Sequence, residues 1–145
     1  MDIAAIEDGF LAALEPLRAE GVRTLDSYAG SNIESIEDIV RLFPAILVVW
    51  GGLRVTPLNE TDTDVDIVNV LVCDRNLRGE GSARRGDAVS RGVYYWLGRC
   101  RALLNRKLPV AGYAPARITG SSPLIWENGR VIIYEQTYEI RQRLY

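Results

Sequence analysis

Apolar residues recur at Ile3, Ile6, Phe10, Leu11, Leu14 and Leu17, the spacing of an amphipathic helix. The pattern predicts a first helix that starts after Asp2 and fades near Gly21. Residues 22–29 suit a short strand. Ser31 and Asn32 offer a cap for a second helix carrying Ile33, Ile36, Ile39, Val40 and Phe43. Glu34, Glu37 and Asp38 lie in its early turns, where the helix dipole favours acids, and Pro44 stops it. Residues 45–50 are an unbroken apolar, β-branched run, which predicts a strand covered on both faces near the middle of a sheet. Gly51 and Gly52 break or bend it, and residues 53–58 continue it. Residues 64–73 form a second long strand, half exposed at its start and buried at its end. Val65, Ile67, Leu71 and Cys73 fall on one face, and Asp64, Asp66, Val68, Val70 and Val72 on the other.

Residues 74–86 are polar and glycine-rich, which predicts a mobile loop. A third helix follows from about Asp87 to Leu104. Val89, Val93, Trp96, Leu97, Cys100, Leu103 and Leu104 form its core stripe, and Arg91, Tyr95, Arg99 and Arg106 its other side. Gly92 and Gly98 within it suggest close packing against a backbone. After Pro109 strands return, with Asn128-Gly129 as a two-residue hairpin turn. In the last strand Val131, Ile133, Glu135, Thr137 and Glu139 share one face, and Ile132, Tyr134, Gln136, Tyr138 and Ile140 the other. The order α, β, α, β, β, long α, β, β predicts an α+β fold. Helices flank a largely antiparallel or mixed β-sheet, in a single domain over residues 1–145.

Composition is ordinary for a soluble domain, at 48% hydrophobic and 25% charged residues. No apolar run approaches the ~20 residues that span a bilayer, and the start Met1-Asp2-Ile3 has no signal-peptide pattern. These features predict a cytoplasmic product with no membrane partner. Cys73 and Cys100 sit in apolar elements and read as buried free thiols. There is no histidine, which removes histidine acid–base chemistry, His-containing triads and nearly all zinc sites.

Charge is divided by position. Residues 1–73 hold 13 acids and 4 Arg, a net of −9, whereas residues 74–145 hold 6 acids and 13 Lys plus Arg, a net of +7. Such a chain can attract its own copies head to tail, provided the halves do not interleave in space. Of 17 basic residues only Lys107 is a lysine, and arginine suits fixed, bidentate pairs at interfaces.

Several chemical motifs begin and then fail. Gly79-Glu80-Gly81 opens like a dinucleotide fingerprint, but Arg84 stands at the third glycine position. Gly81 to Gly86 has phosphate-loop spacing, yet Asp87-Ala88 follows where lysine and Ser/Thr belong. Asp62, Asp64 and Asp66 start like a calcium loop, but Ile67 replaces the glycine at position six. No cofactor or metal is expected. Gly51-Gly52 followed by Asp64 and Asp66 resembles a nucleotidyltransferase signature, in which the glycines hold a triphosphate and the carboxylates hold magnesium. That family needs a helix after the glycine pair, and Pro57 opposes one. The second half, with Arg75, Arg78, Arg84, Arg85 and Arg91, could touch passing DNA non-specifically. No DNA-binding motif is present.

Taken in order, the elements resemble a known family. An acidic first helix leads to Phe43-Pro44-Ala45-Ile46-Leu47-Val48-Val49-Trp50-Gly51-Gly52. The strand ending Val70-Leu71-Val72-Cys73-Asp74 follows, then the arginine-rich loop, the third helix and the Asn128-Gly129 hairpin. This pattern is similar to the small Mu-like phage and prophage family that includes the Mu tail terminator. The resemblance covers nearly the whole chain and brings no catalytic residue. It implies a non-enzymatic structural protein that assembles in the host cytoplasm and ends in the virion tail. The implied form is a homo-oligomeric ring, commonly a hexamer, that caps the tail tube, meets tube and sheath proteins and faces the head–tail connector. A neck or tail-completion protein, or a small binding module, is the alternative. On that reading Arg78, Arg84, Arg85 and Arg91 contact the neighbouring subunit or the tube end, with Asp62, Asp64 and Asp66 as candidate partners.

Overall fold

The computed structural model describes residues 2–28, 42–58, 61–75, 80–87, 91–127 and 131–142. Asp2 opens α1 (Ile3–Leu14) by accepting the Ala5 N–H at 3.1 Å, which satisfies one of the free donors of the first turn. Pro16 has no N–H to continue the ladder, so the chain turns and resumes as the single-turn α2 (Leu17–Glu20). The predicted first helix is therefore two pieces. Its stripe still faces inward: Ile6, Phe10, Leu14 and Leu17 are buried, while Ile3 is 39% exposed.

β1 (Thr24–Ser27) pairs in parallel with the start of β2 (Ala45–Leu58), Thr24 opposite Ala45. β2 and β3 (Thr61–Arg75) form a long antiparallel hairpin. Between Trp50 and Gly52 the register shifts, so the bend expected at the glycine pair is a bulge that leaves Gly51 over. The Trp50 N–H donates instead to the Glu7 carboxylate on α1, at 2.9 Å, tying helix to sheet at that point.

The segment expected as a mobile loop contains structure. β3 runs on to Arg75, and α3 (Glu80–Arg85) follows, anchored by the fully buried Ala83. α4 (Val93–Leu104) begins six residues later than the pattern suggests. The reason is Gly92, at φ 82: a Cβ there would collide with the backbone of Arg84, Arg85 and Gly86. The close packing expected at Gly92 is thus present, whereas a Cβ on Gly98 would meet no atom within 4 Å. β4 (Arg117–Glu127) and β5 (Val131–Arg141) complete a five-stranded sheet of order β1-β2-β3-β5-β4.

The result is the expected α+β architecture, with a mixed sheet that is antiparallel except for β1–β2. Val68, Val70, Val72, Ile132, Tyr138 and Ile140 face α1 and α4, meeting Phe10, Leu14, Trp96, Cys100 and Leu104. On the opposite face Leu47, Leu71, Cys73, Val131 and Ile133 gather with Tyr28. Period-two alternation thus sorts both central strands as their sequence implies. Cys73 and Cys100 are buried free thiols, and burial pushes both up to about 12. Most of the expected second helix falls on residues 29–41, outside the described residues. So does the Asn128-Gly129 turn, bracketed by the pairing of Glu127 with Val131. No helix among the described residues is long and apolar enough to cross a membrane.

Candidate assembly interface

The start of β2, the end of β3, the end of α2 and the start of α4 meet at one end of the sheet. They enclose a cleft of about 380 Å³ whose lining includes Glu20, Arg23, Phe43, Asp74, Arg75, Arg91 and Trp96. Arg23, Arg75 and Arg91 are all exposed. The Arg75 guanidinium lies over the Phe43 ring at 5.4 Å, and Arg91 over Tyr95 at 4.5 Å. Stacking occupies the flat faces of a guanidinium and leaves its N–H edges free to bond outward. Trp96 is buried, and its indole N–H has no acceptor among the described residues.

Beneath Arg91, α4 is fastened to α2. Tyr95 donates its hydroxyl to Glu20 Oε1 at 2.6 Å, and Arg99 grips both Glu20 oxygens, Nε at 3.0 Å and Nη2 at 2.9 Å. The Arg99 hydrogen bond, seconded by Tyr95, holds the Glu20 carboxyl below its ordinary range. The same bonds raise Tyr95 and Arg99. Helical spacing had placed Arg91, Tyr95 and Arg99 on one side of the helix, and they share that side here. Nothing in the sequence marks Glu20 as their partner, because the pairing spans 79 residues between Glu20 and Arg99.

The other sequence-derived residues lie as follows. Arg84 is half-buried in α3 and hydrogen-bonded to Tyr134, and Arg85 beside it is exposed. Arg78 is outside the described residues. Asp64 is exposed, and Asp62 sits opposite Pro57 in the β2–β3 ladder. Asp66 departs from its expected role as a surface acid. It is 3% exposed and accepts the Trp50 indole N–H at 2.9 Å, so its carboxylate serves packing.

β5 pairs with β3 only as far as Val65 opposite Arg141. Residues 55–58 and 61–64 continue as a two-stranded ribbon beyond the sheet. Val55 is 53% exposed on it, and Leu53, just before it in the sheet, 39%. The acidic ribbon and the arginine cleft thus occupy opposite ends of one hairpin, and the fold does not bring Asp64 to Arg91. At the ribbon's base a second cleft, of about 490 Å³, is lined by Arg106, Arg117, Glu139 and Arg141 among others. There Arg54 pairs with Glu139 at 2.6 Å.

The nucleotidyltransferase arrangement finds no support in this geometry. Gly51 and Gly52 lie inside a strand, with no helix following, and Asp66 is bonded to Trp50. Among the described residues no three His, Cys, Asp or Glu side chains are grouped to hold a metal.

A family model described as Bacteriophage Mu, Gp37 matches residues 2–140. The chain belongs to this Mu-phage family. The match takes in every helix described and all of the sheet but the last residue of β5. It agrees with the family resemblance read from element order and the segment around Phe43–Gly52. No curated protein matches the chain. Membership in a Mu-like phage family fits a structural protein of the phage particle.

Proposed function

We propose that this protein is a tail terminator: a ring of copies, commonly six in such proteins, that caps the tail tube and stops its growth. The same ring presents a surface to the head–tail connector. The observation that carries the reading is the family match over residues 2–140. Charge distribution supports it. The acidic half of the chain builds β1, β2 and nearly all of β3, and the basic half builds β5, β4, α3 and α4. The sheet order groups β1, β2 and β3 on one side and β5 and β4 on the other, which leaves unlike edges for a head-to-tail contact. The outer strands offer poor templates for sheet extension. β1 has four residues, and β4 carries Pro123 and two register shifts. Contact through charged surfaces is therefore the better route to a ring.

In this role the protein works without catalysis, assembles in the host cytoplasm and remains in the virion tail beside tube and sheath proteins. Arg84, Arg85 and the cleft arginines are its basic surface toward a neighbour, the tube end or passing DNA. Deleting its gene from a Mu-like phage tests the proposal by electron microscopy. The expected result is tubes of unregulated length without heads. Tails of normal length that fail to join heads would move the protein to the neck or tail-completion class, and intact particles would overturn a tail role.

A further inference from the structure

We propose that the acidic ribbon of one copy, through Asp62 and Asp64, docks in the Arg23–Arg75–Arg91 cleft of the next copy. The inference rests on the ring reading above and names its contact.

Three observations converge. First, the ribbon cannot reach the cleft of its own subunit. Asp64 and Arg75 are about 36 Å apart along β3 at the usual ~3.3 Å per residue, so the partner must be a second molecule. Second, the charges match. Asp62 and Asp64 give the ribbon two acids in one strand, and the cleft holds exposed guanidiniums stacked on aromatic rings, whose N–H edges suit carboxylates. Of the two acids in the cleft, Glu20 is held by Arg99 and Tyr95, and Asp74 is buried and accepts the Arg75 N–H. Third, the apolar parts match. Val55 lies directly opposite Asp64, so it shares the face of Asp64, and Leu53 follows two residues away. Phe43 and Trp96 form apolar walls in the cleft. A cleft of about 380 Å³ takes a few side chains rather than a whole ribbon, so the carboxylates enter and the strands lie across its mouth.

A contact between unlike ends repeats, and it closes into a ring when its rotation divides a full turn. The second cleft, at Arg106, Arg117 and Arg141, sits at the same end as the ribbon. Docking there would be reciprocal and stop at a two-fold dimer.

Mixing complementary variants tests the contact. Arg75→Glu/Arg91→Glu destroys the cleft and keeps the ribbon; Asp62→Arg/Asp64→Arg does the reverse. Each, confirmed folded by circular dichroism, is expected to associate at least about tenfold more weakly than wild type in light scattering at low salt. An equimolar mixture is expected to regain the wild-type mass, because each acidic ribbon meets an unchanged cleft and each reversed ribbon meets a reversed cleft. A chain carrying all four changes is expected to regain the wild-type mass. A wild-type chain that stays monomeric at millimolar concentration overturns the contact, as does either variant with wild-type mass or a mixture that stays monomeric. Loss of association in Arg106→Glu/Arg117→Glu with the cleft variant unaffected overturns it in favour of the two-fold pair. None of these results changes tail length in a phage that lacks the gene, so the contact and the terminator role fail separately.

Discussion

Two carboxylates separated by one residue, Asp64 and Asp66, have opposite surroundings. Asp64 stands in solvent, and Asp66 is buried against Trp50. Removing a buried acceptor strands its donor at about 1–3 kcal/mol. Asp66→Ala is therefore expected to lower unfolding free energy by that amount in urea, and Asp64→Ala to leave it unchanged; equal effects would contradict the assignment. Glu20 gives a pH signature. Its carboxyl is held below the ordinary 4.5 in the folded state, chiefly by Arg99. A depressed folded value contributes stability above the unfolded value, and that stability is lost as pH falls through the folded one. The melting temperature of wild type is thus expected to exceed that of Glu20→Gln at neutral pH. The gap should shrink below about pH 4.5. A gap independent of pH would show that the charge on Glu20 is irrelevant.

At the scale of elements, the sequence and the fold agree where periodicity is strong. Strands β2, β3 and β5 are long and alternate cleanly, so their faces can be assigned from Val68, Val70 and Val72 against Leu71 and Cys73. The N-terminal helix was legible from its apolar stripe, though Pro16 splits it. What stayed hidden was short or distant. α3 contains Gly81 and Ser82, poor helix formers, and is held by the burial of Ala83, which no local pattern announces. The start of α4 is set by the approach of residues 84–86 to Gly92. The cleft was half legible: Arg91 stood out in a basic stretch, whereas Arg23 joins it only because β1 pairs beside β2. Gly92→Ala tests the α3–α4 junction. Forcing a side chain into this positive-φ, extended-ψ backbone (φ 82, ψ 161) costs about 1–3 kcal/mol, and the collision adds to it. The variant is expected to lose at least that much stability, while Gly98→Ala, with open space around it, is expected to gain from higher helix propensity.

For the whole molecule, the near-neutral sum of charges conceals an acidic half and a basic half whose strands lie in two groups of one sheet, meeting where β3 pairs with β5. Self-association driven by such surfaces weakens as salt shortens the screening length from about 10 Å at 0.1 M to about 3 Å at 1 M. Light scattering is expected to show an oligomer at low salt that dissociates at about 1 M, and a mass that ignores salt would exclude a charge-driven contact. The position of the protein in the particle tests the central claim most directly. Phage carrying a tagged copy, labelled with antibody-bound gold and imaged by electron microscopy, should bear label at one level only, where the tube meets the head. Label along the whole tube, at the far tip, or absent from finished particles would contradict the account.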